Sequence, residues 1–166
     1  MSLSSMFRPV PEDTKYPFIV FEKRKKSIIS SIVRFFTHSD YCHVEFWEPD
    51  SGITIGSRPW RGVATGTLDD FQNPVLAKID CPMDSDRYVR LYNDALTYVG
   101  LKYDYKGVLG FLINRFKVNH NRVKCSHLVD EVLKKHGIVL INKESIKVTP
   151  QDLAESILVE FVGSEK

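Results

Sequence analysis

Twenty residues, Tyr41 to Trp60 (YCHVEFWEPDSGITIGSRPW), constrain the fold more than any other stretch of the chain. Two runs rich in β-branched and aromatic side chains flank EPDSG, whose Pro, Asp, Ser and Gly are turn formers, so the segment reads as a β-hairpin. Strand alternation puts His43, Glu45 and Trp47 on one face of its first strand. Further strand candidates are Phe18 to Phe21 (FIVF), Val75 to Pro82 (VLAKIDCP), which Pro82 ends, and the final ILVEFVG. Between them GVATGTLDDF reads as loop and short structure.

Helical periodicity appears in other places. Ile28, Ile29, Ile32, Val33 and Phe36 recur at three- and four-residue intervals over Ser27 to Phe36, with Ser27 as N-cap. From Asp84 to Val99 a stripe of Tyr88, Leu91, Tyr92, Ala95, Leu96 and Val99 predicts a helix capped by Asp84 or Ser85 and stopped by Gly100. Gly107 to Ile113 is a shorter candidate. Cys125 to His136 predicts another helix: Leu128, Val129, Val132 and Leu133 face inward, Lys134, Lys135 and His136 suit its negative end, and Gly137 stops it. Thr149, Pro150 and Asp152 form a capping-box pattern for a last short helix. The order of elements predicts an α+β domain, an antiparallel sheet packed against helices.

At 166 residues with 43% hydrophobic side chains, the chain fits one domain spanning 1–166, its first sixteen residues irregular. The 23 basic and 21 acidic side chains leave a net charge of +2, which argues against a dedicated nucleic-acid binder. The basic run Lys23 to Lys26 reads as a solvated face. Nowhere do about 18 consecutive apolar residues suggest an integral membrane segment, and the N-terminal stretch has no apolar run of signal-peptide length. Cys42, Cys81 and Cys125 are an odd number at wide spacings, which favours a reducing compartment over a disulfide framework. The expected location is cytoplasmic or otherwise soluble.

A cysteine opening a helix lies against unpaired amide donors and the positive end of the macrodipole, which favours thiolate over thiol. Cys125 occupies that position. It needs a base, and His127, two residues on, is rotated roughly 200° away from it. His136 is three turns distant; of the remaining histidines, His38, His43 and His120, His43 on a strand could face a helix N terminus, though spacing alone does not bring it to the sulfur. A zinc site built from His120, Cys125 and His127 with Cys42 or His43 has suitable ligand types but no standard spacing, so neither a metal nor an organic cofactor is expected.

The stretch SSIVRFFTHSDYCHVEFW resembles the histidine motif of the circularly permuted papain-like cysteine hydrolases of the NlpC superfamily, the YaeF/YiiX-like group related to lecithin:retinol acyltransferase. KYD, followed about twenty residues later by KCSHLV, resembles the cysteine half of that pattern. These matches run from Ile19 to Val132 in His-then-Cys order. The resemblance implies a permuted papain-like fold, Cys125 as nucleophile, His43 as general base, and an orienting polar residue on the next strand. Counting across the EPDSG turn puts Ser57 or Arg58 opposite His43; Ser57 is favoured because a hydroxyl accepts a hydrogen bond and a guanidinium only donates. Glu45, on the His43 face, is held in reserve for that role. Tyr103, Tyr41 and Glu45 are the expected substrate contacts, and the Cys125 backbone N–H the expected oxyanion donor. The implied partner is a small peptide, acyl or lipid-like substrate, such as a cell-wall peptide or an N-acyl amino acid, cleaved at an amide or ester bond. The rival expectation is a non-catalytic module of the same fold that binds peptide, lipid or polymer in its cleft.

Overall fold

Along the strand Tyr41–Glu48 side chains alternate between two different environments, and the whole architecture follows from that alternation. A computed structural model describes residues 13–23, 40–104 and 122–163. Five strands come first, β1 (Phe18–Lys23), β2 (Tyr41–Glu48), β3 (Ile53–Arg58), β4 (Gly62–Gly66) and β5 (Pro74–Ile79). Helix α1 (Ser85–Leu96) and the two-residue strands β6 (Lys102–Tyr103) and β7 (Arg122–Val123) follow. Helices α2 (Cys125–Lys135) and α3 (Pro150–Ala154) and a last strand β8 (Val159–Gly163) complete the order. The sheet runs β4-β3-β2-β1-β5-β8, antiparallel at every step, while β6 and β7 pair in parallel. The α+β class and the antiparallel sheet packed against helices are as expected.

One sheet face carries the main core. Val44 and Phe46 of β2, Ile55 of β3 and Ile19 and Phe21 of β1 meet Leu91 and Ala95 of α1 and Leu128, Val132 and Leu133 of α2. On the opposite face the described residues form a small apolar group, Val20, Phe71 and Leu76 with Trp47 and Leu68 against it. Burying a core side chain such as Phe46 stabilises by about 1.5–3 kcal/mol.

The caps explain where the helices begin. Asp84 is the N-cap of α1, accepting from the Arg87 N–H at 2.7 Å. Thr149 and Asp152 form the reciprocal capping box of α3, with distances of 3.1 and 2.9 Å. Gly137, at φ +73°, follows the end of α2 as expected.

Four expectations need correction. Helix α1 ends at Leu96, not Val99, and Leu96 and Val99 are exposed, because the chain turns at Thr97 before their side of the stripe meets the sheet. Strand β5 starts at Pro74 and ends at Ile79, before Asp80–Pro82. GVATG is a strand, β4, whose five residues include two glycines that mute the pattern. Ile157 is fully outside β8 and exposed. The helices expected over Ser27 to Phe36 and Gly107 to Ile113, and the run Arg24 to Lys26, lie outside the described residues.

Candidate active site

The strands of the hairpin part company before they end. Their ladder joins Glu48 to Ile53, Trp47 to Thr54 and Phe46 to Ile55, although β2 extends back to Tyr41 and β3 forward to Arg58. Into that divergence comes the segment leading to α2. The Ser57 hydroxyl donates to the Val123 carbonyl at 2.5 Å, and the Val44 backbone N–H donates to the Cys125 sulfur. The first turn of α2 is further pinned because Ser126 Oγ and Lys124 Nζ both donate to the Val148 carbonyl, at 2.6 and 3.1 Å.

Cys125 is therefore the first residue of α2, held against the start of β2. Its sulfur and the His43 imidazole share a side-chain hydrogen bond and a charge interaction. The other imidazole nitrogen, Nε2, bonds Glu45 Oε1 at 2.7 Å, leaving Nδ1 for the sulfur. Glu45 Oε1 also accepts from Arg58 Nε at 2.5 Å. Both acidic and basic partners are out of water, since Glu45 is 1% exposed and His43 8%.

Electrostatics reinforce the geometry. Burial pushes the Cys125 thiol up, but the His43 charge and hydrogen bond, together with the Val44 and Ser126 N–H groups, bring it below its ordinary value. Burial lowers His43, yet the Cys125 thiolate and Glu45 carboxylate outweigh it and raise the imidazole to about 10. Burial likewise raises Glu45, and hydrogen bonds from His43 and Arg58 bring it below the usual carboxylate value. The favoured state is thiolate, imidazolium and carboxylate in a row.

Beside His43 opens a cleft of about 420 Å³ lined by Glu22, Cys42, His43, Arg58, Pro59, Trp60 and Tyr103. A second, of about 410 Å³, lies beyond Trp60 and is lined by Arg61, Lys102 and Tyr103 among others. Trp60 belongs to both. It is 92% exposed and sits at φ +70°, the only non-glycine residue with positive φ among the described residues. Such a backbone costs about 1–3 kcal/mol and persists only where the surrounding structure holds it. Nothing in SRPWRG signals this conformation.

The structure brings together Cys125, His43 and Glu45, and places Tyr103 on the cleft wall. It does not bring Ser57 to His43. The Ser57 hydroxyl is spent on Val123, because the ladder register, continued, sets His43 opposite Arg58 and Val44 opposite Ser57, so strand alternation turns Ser57 to the other face. Glu45 is buried and not among the cleft residues, so it is not placed to touch substrate as expected; it bonds the His43 imidazole, the position for which it was held in reserve. Tyr41 is not among the cleft residues; its ring stacks on Phe161 with centroids 5.8 Å apart and lies 5.0 Å from Phe21. His127 and His136 pair with Glu131 at 3.0 Å and Asp94 at 2.7 Å, away from the sulfur as the helical rotation implied.

No family model matches the sequence, and neither does any curated protein. Among solved structures it is similar to the crystal structure of the metalloprotein YiiX from Escherichia coli O157:H7, a DUF1105 protein. The TM-score is 0.68 at 16% identity, covering 92% of this chain and 98% of that one. The fold is YiiX-like. At that identity the likeness is one of fold. Among the described residues no helix is long and apolar enough to cross a membrane.

Proposed function

We propose that this YiiX-like chain is a permuted papain-like cysteine hydrolase or acyltransferase that opens amide or ester bonds with Cys125 as nucleophile. The observation that carries the reading is the chain of contacts Cys125, His43, Glu45 at the N terminus of α2. His43 already holds the proton of the thiol; the thiolate attacks the carbonyl carbon, whose oxygen becomes an oxyanion near the Cys125 N–H. His43 then protonates the leaving amine or alcohol, leaving a thioester that water or a second acceptor resolves. Glu45, and not Ser57, holds the imidazole with Nε2 protonated. Substrate enters along the cleft past Trp60 and Tyr103. Cell-wall peptides, N-acyl amino acids and lipids all present such a bond.

The similar YiiX structure is that of a metalloprotein, which raises a metal for this site. The described donors do not fit one, and His120, weighed above as a ligand, lies outside the described residues. Among the described residues no three His, Cys, Asp or Glu side chains gather as metal ligands, and the Glu45 oxygen nearest His43 is shared with Arg58.

A second reading, a module of this fold that binds peptide, lipid or polymer without cleaving it, draws on one observation. Cys125 is only 6% exposed, and the cleft wall is formed by His43, not by the thiol.

Alkylation of Cys125 by iodoacetamide, followed by mass spectrometry against pH, separates the two. Because the thiol is lowered and the imidazole raised, the ion pair spans the interval between them. Labelling should persist well below pH 8 and lose that acidic arm in His43→Ala. An ordinary thiol titration in both proteins would overturn catalysis and leave the binding module.

A further inference from the structure

The contacts do not stop at Glu45. Arg58 reaches it through Nε, and the same guanidinium lies 4.8 Å from the Phe71 ring centroid and 3.5 Å, through Nη1, from Asp70 Oδ2. Asp70 is itself fixed: it closes the turn Leu68–Asp70 by accepting from the Thr67 N–H at 3.2 Å, with Arg61 on its far side at 4.0 Å. Phe71 also packs beside His43, ring centroids 5.9 Å apart.

Two glycines make this line of contacts possible. A Cβ on Gly56 would stand 2.0 Å from Glu45 Cγ, so the Glu45 side chain lies across bare backbone of β3. A Cβ on Gly66 would stand 2.2 Å from Asp70 Oδ2. Room has been left on two neighbouring strands for two carboxylates, with Arg58 between them.

We propose that Arg58 is a positioning residue for the Cys125–His43 pair, seated by Asp70 and Phe71 so that Glu45 stays charged and its oxygen stays on His43 Nε2. The inference rests on the Cys–His reading above and extends it. In the buried row, thiolate, imidazolium, carboxylate and guanidinium sum to zero. Without the guanidinium the row carries one uncompensated negative charge, which draws in a proton at higher pH than before. That proton goes either to Cys125, ending nucleophilicity, or to Glu45, removing the anion that orients His43. Among the described residues the other charged groups bearing on the row are Glu22 from β1, the Asp70–Arg61 pair and, at its thiolate end, the buried Lys124 that precedes Cys125. Burial lowers Arg58, but Glu45, Asp70 and Glu22 raise it overall, so it remains a fixed cation.

The test is the same alkylation profile in the full chain, with parent, His43→Ala, Arg58→Gln, Arg58→Lys and Asp70→Asn side by side. Arg58→Gln keeps a donor to Glu45 and removes the charge. Its acidic limb should move up by about one pH unit, a loss of about tenfold near pH 5, with little change near pH 8.5. Arg58→Lys should restore most of the limb, and Asp70→Asn, which removes an anion but keeps the guanidinium, should not raise it as Arg58→Gln does. A folded Arg58→Gln whose limb superimposes on the parent's would overturn the proposal, since mere packing does not move a proton. Should Arg58→Gln fail to fold, an Arg58→Lys limb raised by a full pH unit although the charge is kept, or an Asp70→Asn limb raised as far, would do the same. If the parent itself has no acidic limb dependent on His43, the Cys–His reading fails first, and that result is distinct from either.

Discussion

The two faces of the six-stranded sheet are built from the same strands and do different work. On the helical face Val44 and Phe46 are wrapped by α1 and α2 in the main core. On the other, their neighbours His43 and Glu45 belong to a row of charges that Arg58 and Asp70 continue, roofed by Phe71. The thiol comes from the helical side and meets the imidazole where β2 and β3 diverge. Packing is forgiving of exact chemistry and charge is not, so separating them by the strand period lets one face hold the molecule together while the other is tuned.

That division is open to attack from both sides. Phe46→Ala, wholly on the packing face, should cost about 3–5 kcal/mol of unfolding free energy in urea, yet leave the pH profile of Cys125 labelling in the folded protein unchanged. A moved profile would show that the faces are not independent. Gly56→Ala strikes the charge face: the new methyl must displace Glu45, so a loss of about 1–3 kcal/mol is expected together with loss of the acidic labelling limb. Retention of both would mean that Glu45 does not hold His43.

Smaller effects sharpen the boundary. Ser57→Ala removes the bond to Val123, which is about 1–2 kcal/mol of stability, and should not alter the labelling profile; altered labelling would restore Ser57 as a direct partner of His43. Lys124 is buried, and burial brings it down from 10.5 to about 7 against the opposing pull of Cys125 and Asp104. Its folded value is depressed, so the fold gains stability as pH rises from about 7 towards 10.5 and has lost it below 7. Lys124→Met should therefore raise the thermal midpoint more at pH 6 than at pH 10, by a few degrees; Ser126 keeps the Val148 carbonyl satisfied. An equal change at both pH values would remove burial of the charge as the cause.

Much of this was legible in residues met one at a time. The alternation through YCHVEFW assigned His43 and Glu45 to one face, the position of Cys125 before a periodic apolar stretch announced a helix N terminus, and the Thr149–Asp152 pattern announced a cap. Between the two residues offered on the next strand, Ser57 was favoured on donor and acceptor chemistry, whereas the register of β2 and β3 sets Arg58 opposite His43, and a one-residue slip turns Ser57 to the other face. Arg58 was weighed only as a direct partner of His43, for which a pure donor is unsuited; that it serves the acceptor instead depends on Glu45 crossing Gly56, a close approach no spacing rule reveals. Trp60 carried no signal because left-handed backbone at a tryptophan is imposed by the turn around it.

That last residue gives the molecule an optical property of its own. The chain has two tryptophans, and they occupy opposite surroundings: Trp47 is half-buried beside Phe18, while Trp60 stands in solvent between the two clefts. Emission from Trp60 should be red-shifted and open to acrylamide, and Trp47 should be shielded, so the quenchable fraction of native fluorescence reports on the cleft rim alone. A compound that settles beside His43 would dim or shield that fraction before any bond is broken, allowing libraries of acyl and peptide ligands to be screened with the unlabelled protein.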